Sequence, residues 1–338
     1  METGRIFTIA GKEFADALRG KKFLLIFGIY LVIAFVGATQ GIQDYTARLE
    51  RYADILTLGT DVSPFLSIRP TVLDVFLRMG ETVSTLGAIL GIAAGFDLIS
   101  GEREEGSLKV LLARPVFRDE IITGKVFGGA MTLALATGLS LAITLGLLLL
   151  TGHLPLPWEF LLIFVFGAVS FLYLFGCFGI GLAMSAVSRR SGEALLFALA
   201  AFFLLALVVP TAGTAVADLV VGETPKAPQI VDEKDMAIWH AYEEEFRRHA
   251  DLRRNIVQIA NLFSPEWNYD EILRAVTKPN LYLIMSGPAD DPWYHPVDEE
   301  PEFGVILSHL WTSIVALLLV PVLFLGFAYA KFLRLDLR

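Results

Sequence analysis

The residues best suited to catalysis are paired charges and histidines, and they cluster between positions 213 and 302. Glu243, Glu244 and Arg248 have the E-E-x-x-x-R spacing of intramembrane proteases of the CAAX type. Those enzymes need this motif inside a membrane helix, facing catalytic histidines. Here the motif falls in a polar stretch, so we interpret it as a solvated helix face with Glu–Arg pairs. The helix is predicted over about residues 234–262, with an apolar stripe at Trp239, Tyr242, Phe246, Ile256 and Ile259.

Three histidines, His240, His249 and His295, share this segment with many carboxylates. No H-E-x-x-H or other compact ligand spacing is present, so we predict no metal site. The sequence also lacks the G-x-x-x-x-G-K-[ST] loop that cradles nucleotide phosphates, so no cofactor is expected on this chain. A membrane enzyme that uses the histidines stays an alternative hypothesis, and it predicts activity without ATP.

The charge is distributed unevenly along the 338 residues. Residues 213–302 hold 18 acidic and 8 basic side chains, while the remainder holds 18 acidic and 19 basic ones. The remainder is very apolar, which excludes a single soluble domain. No basic domain exists to neutralise phosphates, so a nucleic-acid partner is not expected. The single cysteine, Cys177, excludes an intrachain disulfide framework.

Six apolar stretches are long enough to cross a bilayer, which takes roughly 20 residues of helix. Backbone groups in hydrocarbon must be satisfied within the segment, so helices are the default. The sequence therefore predicts an all-α polytopic membrane protein. The predicted spans are Phe23–Thr39, Thr82–Leu98, Ile122–Leu150, Phe160–Val187, Ala194–Thr211 and Phe303–Tyr329.

Basic residues predict the orientation of these spans. Lys and Arg are concentrated before the first span, between spans two and three, between spans four and five, and after the sixth. The loop over 151–157 has none. The positive-inside rule then places both termini in the cytoplasm and the protein in the cytoplasmic membrane.

These spans divide the chain into three parts. Residues 1–212 form a membrane domain with spans one to five, residues 213–302 an acidic extracytoplasmic domain, and residues 303–338 the last span and a cytoplasmic tail. The apolar positions of residues 1–20 predict an amphipathic helix at the inner interface. Within the spans, two sets of glycines four residues apart predict close helix packing, Gly87, Gly91 and Gly95 in one helix and Gly124 and Gly128 in another.

The connection between spans two and three is the most informative loop. It reads "ISGEREEGSLKVLLARPVFRDEIITGK" from Ile99 to Lys125. A dense charge cluster follows the span, and a short amphipathic helix is then predicted through Leu108, Leu111 and Leu112. Pro115 stops it, because proline lacks a backbone donor and restricts the preceding residue. Such a stiff helix at the mouth of the bundle has the shape to dock a soluble partner.

This run resembles the signature of ABC-2 type permeases, the membrane subunits of type-2 ATP-binding-cassette exporters. It is close in style to the branch that contains the nitrous-oxide reductase maturation permease. Two further stretches support the resemblance, "GIGLAMSAVSRRSGEAL" over Gly179–Leu195 and "NLFSPEWNYDEIL" over Asn261–Leu273. The six-span plan covers essentially the whole chain, except for the detail of residues 213–302.

The resemblance implies that this loop is the coupling helix, over residues 101–115, that sits in a groove of a separate ATPase subunit. It places the ATPase contact at Glu102, Arg103, Glu104, Gly106, Ser107, Leu108, Leu111 and Leu112. ATP and Mg would be bound by that partner, so this chain would be a transport subunit and not an enzyme. Its other partners would be the lipid bilayer and a second permease copy, either identical or related. An alternative is a mechanotransmission subunit, which passes the ATPase motion to an extracytoplasmic partner.

Overall fold

A computed structural model describes residues 3–58, 70–108, 117–227, 236–279, 281–282 and 303–334. These residues form helices and connections, with no strand among them. Six of the helical stretches are long and apolar enough to cross a membrane, so the predicted all-α, six-span fold is confirmed. They are Lys21–Ile55, Leu73–Glu104, Arg118–Leu150, Pro157–Val187, Ser191–Val221 and Ile306–Leu333.

The first two helices adjoin at Gly20. Helix α1, Thr3–Arg19, is the amphipathic helix expected at the start of the chain. Helix α2, Lys21–Leu58, contains the first span and continues well beyond the predicted end of that span at Thr39. The Tyr30 hydroxyl of α2 is buried and lies 3.2 Å from the Ser140 hydroxyl of the third span.

The second span is a composite of α and π geometry. Helix α3, Leu73–Thr82, leads into a π-helical segment, Val83–Gly87, and then into α4, Ala88–Gly95. A π turn widens the helix and changes which carbonyls find a partner within it. The Ser84 carbonyl accepts a hydrogen bond of 2.7 Å from the buried Tyr173 hydroxyl. This bond from a neighbouring span adds a partner to a backbone group of the π segment, in a region without water to supply one.

A short helix, α5 (Ser100–Glu104), follows the second span, and two long spans come next. These are α6, Arg118–Leu150, and α7, Pro157–Val187. The predicted coupling region extends from α5 into residues 109–116, so Leu111 and Leu112 lie outside the described residues.

The fifth span consists of α8 (Ser191–Phe203), a second π-helical segment (Leu204–Val208) and α9 (Val209–Val221). It runs past residue 213, where the acidic domain is predicted to begin. Helix α10, Met236–Asn261, then packs back along α9 and carries the predicted Glu–Arg pairs. Glu243 and Arg247 are 2.9 Å apart, and Glu244 and Arg248 are 3.1 Å apart.

Helix α11, Pro265–Thr277, begins at Ser264, whose side chain accepts a hydrogen bond from the Trp267 amide. It packs against α3, α7 and the last helix, α12 (Phe303–Leu333). Tyr269 is fully buried there, stacked on Tyr173 at 4.6 Å between ring centroids and hydrogen-bonded to Ser170. Part of the acidic segment is therefore integrated into the helical bundle.

The glycines of the second span lie where its backbone meets α7. A Cβ atom at Gly91 would lie 2.5 Å from the Leu174 carbonyl oxygen, and one at Gly95 would lie 2.5 Å from that of Phe178. At Gly87, the nearest atom would be a methyl carbon of Leu174, at 2.9 Å. Only glycine fits without displacing α7, because two of these contacts are with backbone atoms.

We predict that Gly91→Ala destabilises the protein by about 2 kcal/mol, because the added methyl group overpacks a backbone contact. Gly138→Ala is the matched control, since a Cβ there meets nothing within 4 Å. Thermal unfolding in detergent should show a lower midpoint for Gly91→Ala and no loss for Gly138→Ala. Equal midpoints for the two variants would contradict the packing.

Candidate functional site

The candidate site is the segment from Ser100 to Leu108, which we call the coupling segment. It contains α5, a turn at Glu105 and Gly106, and the start of the next helical stretch. Gly106 has a φ of 75°, which side chains other than glycine rarely adopt. The chain therefore changes direction between Glu104 and Ser107, and the turn is exposed.

The start of the coupling segment is held by a serine of the fourth span. The Ser185 hydroxyl oxygen accepts hydrogen bonds from the backbone amides of Ile99, at 3.0 Å, and Ser100, at 2.9 Å. It also lies 3.1 Å from the Ser100 hydroxyl, to which it donates. Amides at a helix start have no partner in the helix itself, so Ser185 satisfies two groups that are otherwise orphaned in a buried site.

The middle of the coupling segment is bound to the connection between the fourth and fifth spans. The Arg103 guanidinium donates to the Ser188 carbonyl oxygen at 2.7 Å. The Glu104 carboxylate accepts from the Ser191 amide, at the first residue of α8, at 3.0 Å. A carboxylate at a helix N-terminus also interacts favourably with the helix dipole. Two of the predicted ATPase-contact residues thus have partners within this chain.

Glu102 takes part in a buried ionic cluster. Lys125 of α6 lies with its ammonium nitrogen 2.8 Å from a Glu102 carboxylate oxygen and 2.9 Å from one of Glu13 in α1. The Lys125 side chain is 1% exposed, Glu13 is 8% exposed and Glu102 is 20% exposed. One cation therefore connects three helices, α1, α5 and α6.

Lys12 borders this cluster on its exposed side. Its ammonium nitrogen is 3.7 Å from Glu13 and 3.4 Å from Asp16. Partial burial lowers the pKa of Lys12, but the nearby carboxylates of Glu13, Glu102 and Asp16 outweigh it, and the pKa is raised overall. Lys12 is therefore charged at neutral pH and offsets part of the negative charge of the two glutamates.

Two glycines bring Glu13 within reach of Lys125. A Cβ atom at Gly128 would lie 2.6 Å from the Cβ of Glu13, and one at Gly124 would lie 2.6 Å from a side-chain carbon of Ile9. The apolar face of α1 is thus packed directly on the first turns of α6. The ion pair between Arg5 and Glu120, at 4.0 Å, lies one turn further along the same contact.

The exposed part of the coupling segment is short. Glu104, Glu105, Gly106 and Ser107 are exposed, whereas Leu108 is buried. The stretch over residues 104–107, which includes the turn, is therefore the part of this segment that another protein can reach. Glu102 and Arg103 lie behind it, bound to the rest of the bundle.

The site offers ion pairs and hydrogen bonds, and nothing in the described part of the chain suggests a metal centre. Within the described ranges, no group of three or more His, Cys, Asp or Glu side chains could hold a metal ion. His240 and His249 lie on α10, where the His249 ring is 3.3 Å from the Gly222 carbonyl oxygen. His295 falls outside the described residues.

Comparison with known proteins identifies the class of this molecule. The profile of the ABC-2 family transporter proteins matches residues 7–337. The chain belongs to this family. The predicted resemblance to the ABC-2 family is therefore confirmed.

Two curated relatives share the name "Probable ABC transporter permease protein NosY". The one from Pseudomonas aeruginosa is 27% identical over 193 residues, which cover 55% of this chain and 60% of the relative. The one from Stutzerimonas stutzeri is 29% identical over 137 residues, covering 39% of this chain and 41% of the relative. The chain thus matches less than two thirds of either relative's length.

Sequence reasoning missed the residues that hold the coupling segment in place, namely Glu13, Lys125 and Ser185. A signal for Glu13 was present, because it interrupts the apolar face of an otherwise regular amphipathic helix. Lys125 follows a glycine at the start of a long apolar run, where nothing in the sequence distinguishes it from the other basic residues of the connection. The pairing of the two needs the α1–α6 contact, which no local pattern contains.

We predict that Ser185→Ala lowers stability by about 2 kcal/mol, because two buried amides lose their acceptor. Ser188→Ala, three residues further along the chain, is the matched control, since the Ser188 hydroxyl is buried without a hydrogen-bond partner among the described residues. Thermal unfolding of both variants in detergent checks this. A loss in Ser188→Ala equal to that in Ser185→Ala would show that the amide contacts are unimportant.

Proposed function

We propose that this chain is the permease subunit of a type-2 ABC exporter in the cytoplasmic membrane, driven by a separate ATPase chain that docks on the coupling segment. The observation that carries this proposal is the exposed turn over 105–107. The turn is exposed, while Glu102 just before it is bound to α6 and, through Lys125, to α1. Glu104 is bound to the first residue of α8. A push on the turn would therefore be passed into the spans.

The ion pairs and hydrogen bonds of the coupling segment suggest how closure of the ATPase would reach the membrane helices. Glu102 connects the coupling segment to α1 and α6, and Arg103 and Glu104 connect it to the α7–α8 connection. Charged hydrogen bonds in a partly buried site are stronger than neutral ones, so they transmit displacement well. We infer that the second, third, fourth and fifth spans respond to one docking event. Helix α5 lies at the end of the second span, α6 is the third, and α7 and α8 belong to the fourth and fifth.

The orientation and the nucleotide chemistry follow from the same proposal. Basic residues flank the coupling segment, which supports placing it in the cytoplasm, together with both termini. The chain has no phosphate-binding loop, so ATP and Mg would be held by the partner. A second permease copy, identical or related, would complete the transporter beside two ATPase chains. The substrate stays undefined.

One observation favours mechanotransmission as a second candidate function. Gly213 lies beside Ala260, Asp218 pairs with Arg253 at 3.0 Å, and Gly222 lies beside His249. Helix α10 therefore runs antiparallel to α9, and its part before His249 continues beyond the end of α9. At about 1.5 Å per residue, this part adds roughly 20 Å. Such a projection could pass motion to an extracytoplasmic partner.

We predict that a photo-crosslinking amino acid at Ser107 captures a P-loop ATPase in cells, because Ser107 lies in the exposed turn. The same probe at Glu245, an exposed position on α10, is the control for the opposite side. Mass spectrometry of the crosslinked species checks the identity of the captured chain.

The proposal expects ATPase capture from position 107 and none from position 245. Glu105→Lys should lower the yield at 107 several-fold, because it reverses the exposed charge of the turn. Capture of the ATPase at position 245, or of no ATPase at 107, would place the docking site elsewhere.

A further inference from the structure

Lys125 pairs with two carboxylates, one more than its own charge requires, and Lys12 on the exposed side offsets part of the remaining negative charge. A buried ammonium group needs an anionic partner, because transfer out of water penalises an unpaired charge. Glu13 alone meets that need, at 2.9 Å and almost fully buried. Glu102, at 2.8 Å, adds a second negative charge to a partly desolvated site. The second carboxylate is therefore not needed to neutralise Lys125 itself, and its position beside Lys125 calls for another explanation.

The two carboxylates differ in their surroundings. Glu13 is fixed on α1 where Gly128 brings the backbones together, and it also contacts Lys12. Glu102 belongs to a short helix that ends in an exposed turn. Its second carboxylate oxygen is buried and has no hydrogen-bond partner among the described residues. Lys125 thus joins a firmly packed helix to the segment proposed to receive the ATPase.

We propose that Lys125 is a positioning residue for the coupling segment, which it fixes to α1 through the Glu13–Lys125–Glu102 bridge. The bridge makes α1 and the coupling segment respond together when the segment is displaced. The role in energy coupling rests on the proposed docking of an ATPase, whereas the positioning itself does not. A bridge of this kind differs from a simple stabilising contact, because removing either arm frees one element and spares the other.

Hydrogen exchange of the full chain in detergent, read by mass spectrometry, tests the bridge without any partner. Glu102→Gln should accelerate exchange in residues 101–108 about tenfold and leave residues 3–19 unchanged, because Lys125 keeps Glu13. Glu13→Gln should do the reverse. Lys125→Met should accelerate both stretches, since it leaves two carboxylates facing each other. Glu105→Gln, an exposed glutamate of the same segment, is the matched control and should change neither.

Several results would overturn the positioning role. They are an equal effect of Glu105→Gln and Glu102→Gln, uniform acceleration across all helices, or an effect of Lys125→Met on only one of the two stretches. If Lys125→Met does not fold, the double variant Glu13→Gln and Glu102→Gln decides the question. It must accelerate both stretches, by about the factors seen in the single variants.

The coupling role is tested in the complex with the ATPase. Trapping with ATP and vanadate should alter exchange in residues 3–19 of the wild type, and Glu102→Gln should abolish that response while crosslinking at Ser107 persists. An unchanged response of residues 3–19 in Glu102→Gln would overturn the coupling role. Absence of crosslinking in the wild type would instead refute the docking proposal and leave the exchange results on the isolated chain valid.

Discussion

A buried ammonium group has to be paired, and the packing of α1, α5 and α6 is arranged around the pairing of Lys125. The requirement brings α1 against α6, and Gly124 and Gly128 remove the side chains that would keep the helices apart. It also draws Glu102, and with it the coupling segment, onto the same contact. Removing one partner of a buried ion pair strongly lowers stability, because it leaves the other charge buried and unpaired. The three elements therefore depend on one another.

A second constraint acts within the spans, where water does not supply hydrogen bonds. The π-helical segment of the second span has a carbonyl, that of Ser84, bound by Tyr173, and Tyr173 stacks on Tyr269 of α11. A helix from the polar segment is in this way tied to the centre of the bundle. Helix α11 and the coupling segment, which lie near opposite ends of the second span, are consequently connected through α3, the π segment and α4.

The fold was largely predictable from the sequence, because long apolar runs and basic loops depend on local composition. The amphipathic helix of residues 3–19 and the glycine positions of the second span could likewise be recognised from periodicity. The integration of α11 could not, since the burial of Tyr269 depends on α7 rather than on its own polar neighbours. The partners of Glu102, Arg103 and Glu104 were also inaccessible, because they lie 23 to 87 positions away in the chain. The charge cluster could be recognised from the sequence, but the contacts of its residues with other parts of the chain could not.

The π-helical turn over Val83–Gly87 has a consequence for the angular phase of everything that follows it. Each residue of an α-helix advances the chain by about 100° around the axis. Removal of one residue from this turn would restore regular geometry and rotate the downstream part of the span by that angle. Gly91 and Gly95 would then turn away from α7, and Glu102 would emerge on another side of the helix. The π-helical turn over Val83–Gly87 thus determines on which side of the helix the chain presents the Glu102 carboxylate to Lys125.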